Sequence, residues 1–168
     1  MRSILFALCF LYFNAHCQDV HTKELKKFLS YAIDSLIMKE VNENDTLIIS
    51  NKTSSIDKLN DDCLKSFNTS FGLKQAEIDS FIQKASSTPT SILKTNDFDK
   101  MNFVLSADSK LNPSTKGTYC TISNPIFLQD YTYCLFAFDI AKGGGQTILF
   151  KKEGSKWRIY KRVCAWYY

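Results

Sequence analysis

Between Val20 and Val41 apolar side chains return at intervals of three and four, at Leu25, Phe28, Leu29, Ala32, Ile33, Leu36, Ile37 and Val41, with lysines and acids between them. That period lines them along one stripe of a helix, so the spacing predicts an amphipathic helix over 20–41. Asn42-Glu43-Asn44-Asp45 ends it, and the β-branched run Thr46-Leu47-Ile48-Ile49-Ser50 reads as a first strand. Helical spacing returns at Leu59, Cys63, Leu64 and Phe67, predicting a second helix from about Ser55 to Phe67. A third is predicted from Lys74 to Ala85 on Ile78, Phe81, Ile82 and Ala85, stopped before Pro89, which cannot continue a helix.

Thr90 to Lys116 carries no firm period and reads as irregular, with short strands at Ser91–Lys94 and Met101–Leu105 as candidates. From Thr118 onward the pattern is β: Tyr119–Ser123, Tyr131–Ile140, Gln146–Lys152 and Trp157–Tyr167. Ala141-Lys142-Gly143-Gly144-Gly145 and Glu153-Gly154-Ser155-Lys156 have hairpin length and chemistry, so the last three strands are expected to form an antiparallel meander. Helices first and strands last, joined by hairpins rather than crossovers, predict an α+β fold. In it the N-terminal helix and one or two further helices pack on a C-terminal antiparallel sheet.

The chain's opening changes the compartment expected of it. Arg2 precedes the apolar run Ile4 to Phe13, which is followed by Asn14-Ala15-His16-Cys17. The run is about half the roughly 20 residues a spanning helix needs, so residues 1–17 are read as a cleaved signal peptide and 18–168 as one exported domain. The expected location is secreted or periplasmic, with a lipoprotein anchored through Cys17 as the alternative. No later segment is apolar enough to span a membrane. Loss of residues 1–17 removes Arg2 and no acid, leaving 20 basic against 17 acidic residues, a net of +3. That balance is too mild to indicate a nucleic-acid partner. A hydrophobic fraction of 45% with 14% aromatic residues fits a packed domain.

Six cysteines stand at 9, 17, 63, 120, 134 and 164, the first two inside the leader. In an oxidising compartment Cys63, Cys120, Cys134 and Cys164 are expected to form two disulfides, of any of three connectivities. A metal site is not expected, because no C-x-x-C pair exists and His21 is the only histidine after the leader.

Catalytic chemistry finds few footholds. Nucleophile–base catalysis ordinarily uses a histidine, and His21 stands at the start of a helix with no G-x-S-x-G elbow around any serine. Asp61-Asp62, Asp97-Asp99 and Asp130 supply the carboxylates a small hydrolase would need, although each also suits a helix surface or a turn. Lys142-Gly143-Gly144-Gly145-Gln146-Thr147 resembles a phosphate loop only in composition, since its lysine leads and a strand follows. No motif points to a cofactor. Lys142, Lys151, Lys152, Lys156, Arg158, Lys161 and Arg162 crowd the last strands, and simple alternation puts Arg158, Tyr160 and Arg162 on one face of the final strand. With Lys151 these form the candidate binding surface, an aromatic-basic patch suited to an anionic ligand, although lysines guarding a sheet edge give the same pattern. Three N-x-[ST] triplets, at Asn44, Asn51 and Asn68, would be glycan acceptors in a eukaryotic host.

The segment Ile122-Ser123-Asn124-Pro125-Ile126-Phe127, then Asp130-Tyr131-Thr132, the glycine turn at 143–145, Phe150 to Ile159 and a final Trp166 resemble the ending shared by small uncharacterised exported bacterial proteins. The resemblance covers Ile122 to Tyr168 and is looser in the N-terminal helix. It implies a leader or lipoprotein signal and an antiparallel sheet, and it brings no assigned activity. Cys134 and Cys164 depart from it, standing where ordinary core residues are expected. The sequence thus points to a non-catalytic exported module that binds an unidentified protein, glycan or small molecule, with a carboxylate-dependent hydrolase as the competing class.

Overall fold

The computed structural model describes residues 20–56, 67–68, 71–107, 117–128 and 131–168. The first periodic segment forms helix α1 over 20–35, and the chain then tightens into a 3-10 turn at Ile37–Glu40 rather than continuing as α-helix to Val41. Its stripe is buried as the period requires, with Phe28, Leu29, Ala32, Ile33 and Ile37 all closed to solvent. The third predicted helix is α2, Gln75–Ser87. Glu77 accepts a 2.7 Å hydrogen bond from the Lys74 amide at its start, and the Thr88 hydroxyl donates to the Lys84 carbonyl at 2.5 Å at its end. These contacts satisfy terminal backbone groups that the helix cannot pair internally. The helix predicted from Ser55 to Phe67 falls largely outside the described residues.

Seven strands follow in one sheet: β1 Thr46–Ser50, β2 Val104–Ser106, β3 Gly117–Ile122, β4 Ile126–Leu128, β5 Tyr133–Ile140, β6 Gly144–Glu153 and β7 Lys156–Trp166. Their order is β2-β1-β3-β5-β6-β7, with β4 pairing β5. The expected meander is present as β5, β6 and β7, antiparallel throughout. One expectation is corrected: β1 runs parallel to both β2 and β3, so the chain does use crossovers. Parallel neighbours cannot be joined by a hairpin, and the path from β1 to β2 carries α2. The protein is α+β with a mostly antiparallel sheet.

Side-chain alternation on β5 shows why that strand is central. Cys134, Phe136 and Phe138 join the core under α1, together with Leu47, Ile49, Ile122, Ile148, Phe150 and Trp157. Leu135 and Ala137 join a second core under α2, with Ile78, Phe81, Ala85, Leu149 and Val163. A strand covered on both faces needs a continuous apolar run, which Cys134-Leu135-Phe136-Ala137-Phe138 provides. The sheet is therefore the middle of three layers.

Two features pin the periphery. Glu24 on α1, largely buried, meets the Lys152 ammonium of β6 at 2.6 Å. At the other end Asp139, Gly145 and Trp166 stand side by side on β5, β6 and β7. A Cβ at Gly145 would run into the Phe138 carbonyl and the Trp166 ring. With only hydrogen there, the indole Nε1 crosses the intervening strand and donates to Asp139 at 2.8 Å, and the Tyr168 hydroxyl donates to the same carboxylate at 3.1 Å. Burial first, and then the charge and hydrogen bond of Asp139, raise the Tyr168 hydroxyl above its ordinary pKa.

The Glu24 pair makes stability depend on pH. Burial alone would raise the Glu24 carboxyl, but the Lys152 hydrogen bond and the charges of Lys152 and Lys27 outweigh it and hold the group below the ordinary carboxylate value. A carboxyl lowered by folding stabilises the fold above its unfolded pKa, and that contribution is lost as pH falls through the folded one. Glu24→Gln is expected to cost about 1.5–3 kcal/mol at neutral pH, with the gap from wild type closing on acidification. Urea melts across the acid range would measure it; a gap that does not change with pH would remove the electrostatic account.

The two-disulfide expectation is also corrected. Cys120 and Cys134 are free thiols, both buried. Cys120 stands opposite Ile140 on β5, six residues from Cys134, a separation of about 20 Å along the strand. Disulfides need Cα atoms within about 7 Å, so these two cannot bridge. Burial, reinforced for Cys120 by the Asp139 charge, pushes both thiols well above their usual pKa, which leaves little nucleophilic thiolate. Cys164 is disulfide-bonded, and its partner lies outside the described residues.

Candidate functional site

Where α1 passes the tip of the β6–β7 hairpin the surface opens into a cavity of about 590 Å³, lined by Lys27, Tyr31, Asp99, Ser155, Lys156, Trp157 and Arg158. Helix periodicity supplies one wall, because Lys27 and Tyr31 are four residues apart and so neighbours on α1. The Tyr31 ring stands edge-to-face on Phe150, with centroids 6.2 Å apart. The hairpin supplies the other wall. Gly154 has φ +61 at the first of the two turn residues, a left-handed conformation that glycine adopts without strain, and the turn sets Ser155 and Lys156 at the tip.

Trp157 forms part of the wall but is itself core. It is 3% exposed, with its ring 5.2 Å from Phe28 and 5.7 Å from Phe127. The Lys152 ammonium lies 5.9 Å from the Trp157 ring, and the indole Nε1 is buried without a hydrogen-bond partner. Asp99 is tied to α1 by its amide, which donates to the Ser30 hydroxyl at 3.1 Å, and by an ion pair with Lys26 at 3.4 Å.

Charge in the cleft is uneven. Lys27, Lys156 and Arg158 face one acid, Asp99. Lys27 pairs with Glu24 at 3.6 Å, and the Arg158 Nε pairs with Glu153 at 2.9 Å. Among the described residues Lys156 has no ion pair. The arrangement can hold an anionic group against Lys156 and Arg158, while Ser155 and Asp99 offer hydrogen-bonding partners to a neutral portion of the same ligand.

The predicted surface does not assemble as one face. Arg158 pairs with Lys151 and Arg162 with Ile148, positions of opposite parity on β6, because register shifts interrupt the β6–β7 ladder. Cross-strand partners share a face, so Arg158 and Arg162 lie on opposite sides of the sheet. Tyr160 joins Lys151 and Tyr133: the two tyrosine rings lie 5.8 Å apart, and the Lys151 ammonium is 5.6 Å from the Tyr160 ring. Of the four predicted residues, Arg158 alone lines the cleft.

Other candidates take structural places. The His21 Nδ1 lies 3.1 Å from the Tyr131 hydroxyl, and its ring meets Phe127 edge-on. The Asp97 carboxylate accepts from the Lys94 amide at 2.7 Å, capping a short 3-10 turn. Asp61, Asp62 and Asp130 lie outside the described residues, so of the described aspartates in the carboxylate reading Asp99 alone lines the cleft. The glycine-rich stretch is the β5–β6 turn, with Ile140 paired to Gly144. Among the described residues no group of three His, Cys, Asp or Glu could hold a metal ion, and no helix is long and apolar enough to cross a membrane.

Sequence reasoning missed Lys27 and Tyr31 and named Asp99 only as a hydrolase carboxylate; chain distance separates all three from the hairpin. The only local signal was the i, i+4 placement of Lys27 and Tyr31 beside the apolar stripe. Set against known protein families, curated proteins and solved structures, the chain matches none.

Proposed function

We propose that this protein is an exported, non-catalytic binding module whose ligand occupies the cleft between α1 and the β6–β7 hairpin. The observation that carries the reading is the cleft's composition, three cations against one acid beside a tyrosine wall. Its volume lies within the roughly 300–1,000 Å³ usual for small-molecule sites. The short apolar leader supports export, and the bridge at Cys164 is chemistry of an oxidising compartment.

The test is amide-resolved NMR of the 18–168 chain with a panel of small anionic and neutral ligands. Perturbations are expected at Lys27, Tyr31 and Ser155 to Arg158, and Lys156→Glu with Arg158→Glu should abolish them. Arg162→Glu, a charge reversal of equal size at an exposed residue of the same strand that does not line the cleft, should leave them intact. Shifts centred on Tyr133 and Tyr160, or an absence of binding across the panel, would remove the cleft as the site.

A further inference from the structure

We infer that the cleft takes an acidic saccharide, a sugar carrying a carboxylate or sulfate beside free hydroxyls; this builds on the binding role proposed for the same cleft. The inference follows from the mixture of groups rather than from positive charge alone. A compact inorganic anion would be held by Lys156 and Arg158 but would bring no hydroxyls to Asp99 and Ser155, which line the same space. An apolar carboxylic acid would satisfy the cations and leave Asp99 and Ser155 facing a surface with no donors. Polar groups desolvated without partners cost affinity, so the ligand best matched to the lining presents both a charge and hydroxyls.

The ion pairs refine that choice. Asp99 is already neutralised by Lys26 at 3.4 Å, so it is suited to accept hydrogen bonds from neutral donors rather than to hold a second cation. This favours sugar hydroxyls over the ammonium of an amino acid. Lys156 has no ion pair among the described residues, and Arg158 engages Glu153 through Nε. Together they form the cationic end, where a carboxylate or sulfate can be held by charge-assisted hydrogen bonds. Tyr31 supplies an aromatic wall with a hydroxyl, a surface that accepts the apolar C–H face of a pyranose ring, and its ring is steadied by Phe150. Trp157 is too deeply buried to stack on a ligand, so Tyr31 is the aromatic that makes contact.

Isothermal titration with four probes tests the proposal: digalacturonate, the neutral disaccharide cellobiose, phenylpropionate as an apolar acid, and a blocked diglutamate peptide. Digalacturonate is expected to bind saturably, to weaken as salt is raised, and to lose at least about tenfold in affinity with Lys156→Glu and Arg158→Glu. Arg162→Glu should leave its affinity unchanged, and the melting temperatures of all variants should match wild type, since these side chains are on the surface. Tyr31→Phe should retain most of the affinity if the ring face is what the sugar meets. Cellobiose binding as tightly as digalacturonate would overturn the requirement for charge. Phenylpropionate or the peptide binding in its place, and lost in the same double variant, would overturn the saccharide class while leaving the cleft as the site. Binding of none of the anionic probes would overturn both.

Discussion

Phe28→Ala is expected to remove about 3–5 kcal/mol of stability, a large share of the 5–15 kcal/mol that holds a typical domain together. Phe28 is closed to solvent and meets four aromatic rings edge-to-face: Phe127 at 5.7 Å, Phe136 at 5.4 Å, Phe150 at 5.0 Å and Trp157 at 5.2 Å. Truncation would leave a cavity lined by rings that cannot collapse into it, because each is held by its own strand. Equilibrium urea melts should show the midpoint falling with the slope unchanged, and Phe28→Leu should recover more than half of the loss. A cost below about 1 kcal/mol for the alanine variant would mean that α1 is not the lid of this core.

The second large effect is expected at Gly145. Gly145→Ala places a methyl group where the Trp166 ring and the Phe138 carbonyl already stand, and should cost about 1–3 kcal/mol through displacement of the indole. Trp166→Phe removes the donor to Asp139 while keeping most of the ring, and should cost about 0.5–3 kcal/mol. Because both changes break one contact, the double variant should cost clearly less than their sum, whereas independent sites add to within about 0.5 kcal/mol. Strict additivity in that cycle would show that the ring does not owe its place to the missing Cβ.

What could be read directly from the sequence was local in origin. The 20–41 period, the Pro89 stop and the two glycine-bearing hairpins each depend on residues a few positions apart, and each element is present. The strands that escaped or surprised depend on distant partners. β4 is only Ile126-Phe127-Leu128, directly after Pro125, too short to show a period. β1 looks like any β-branched strand, and nothing in Thr46–Ser50 says that it will run parallel to β3 some seventy residues later. The expected single face does not form for a geometric reason: simple alternation puts Arg158, Tyr160 and Arg162 on one side only if the β6–β7 ladder runs without a slip. The ladder slips between Leu149 and Phe150, so Tyr160 and Lys161 form a bulge and Arg162 turns to the other face. The cleft itself draws on α1, the Asp99 loop and the hairpin, and no window of sequence holds all three.

The ion pair between Glu24 and Lys152 joins residues 128 positions apart. α1 is therefore made early on the ribosome and seated late, since the strands it covers come from the far end of the chain. Loop closure over such a distance must precede the burial that rewards it, which slows the search for the native state. An amphipathic helix waiting with its apolar stripe uncovered is a liability inside a crowded cell. Under the proposed export, in which the chain would leave the cell as an extended thread, the same delay would keep it from locking shut before its last strands had crossed.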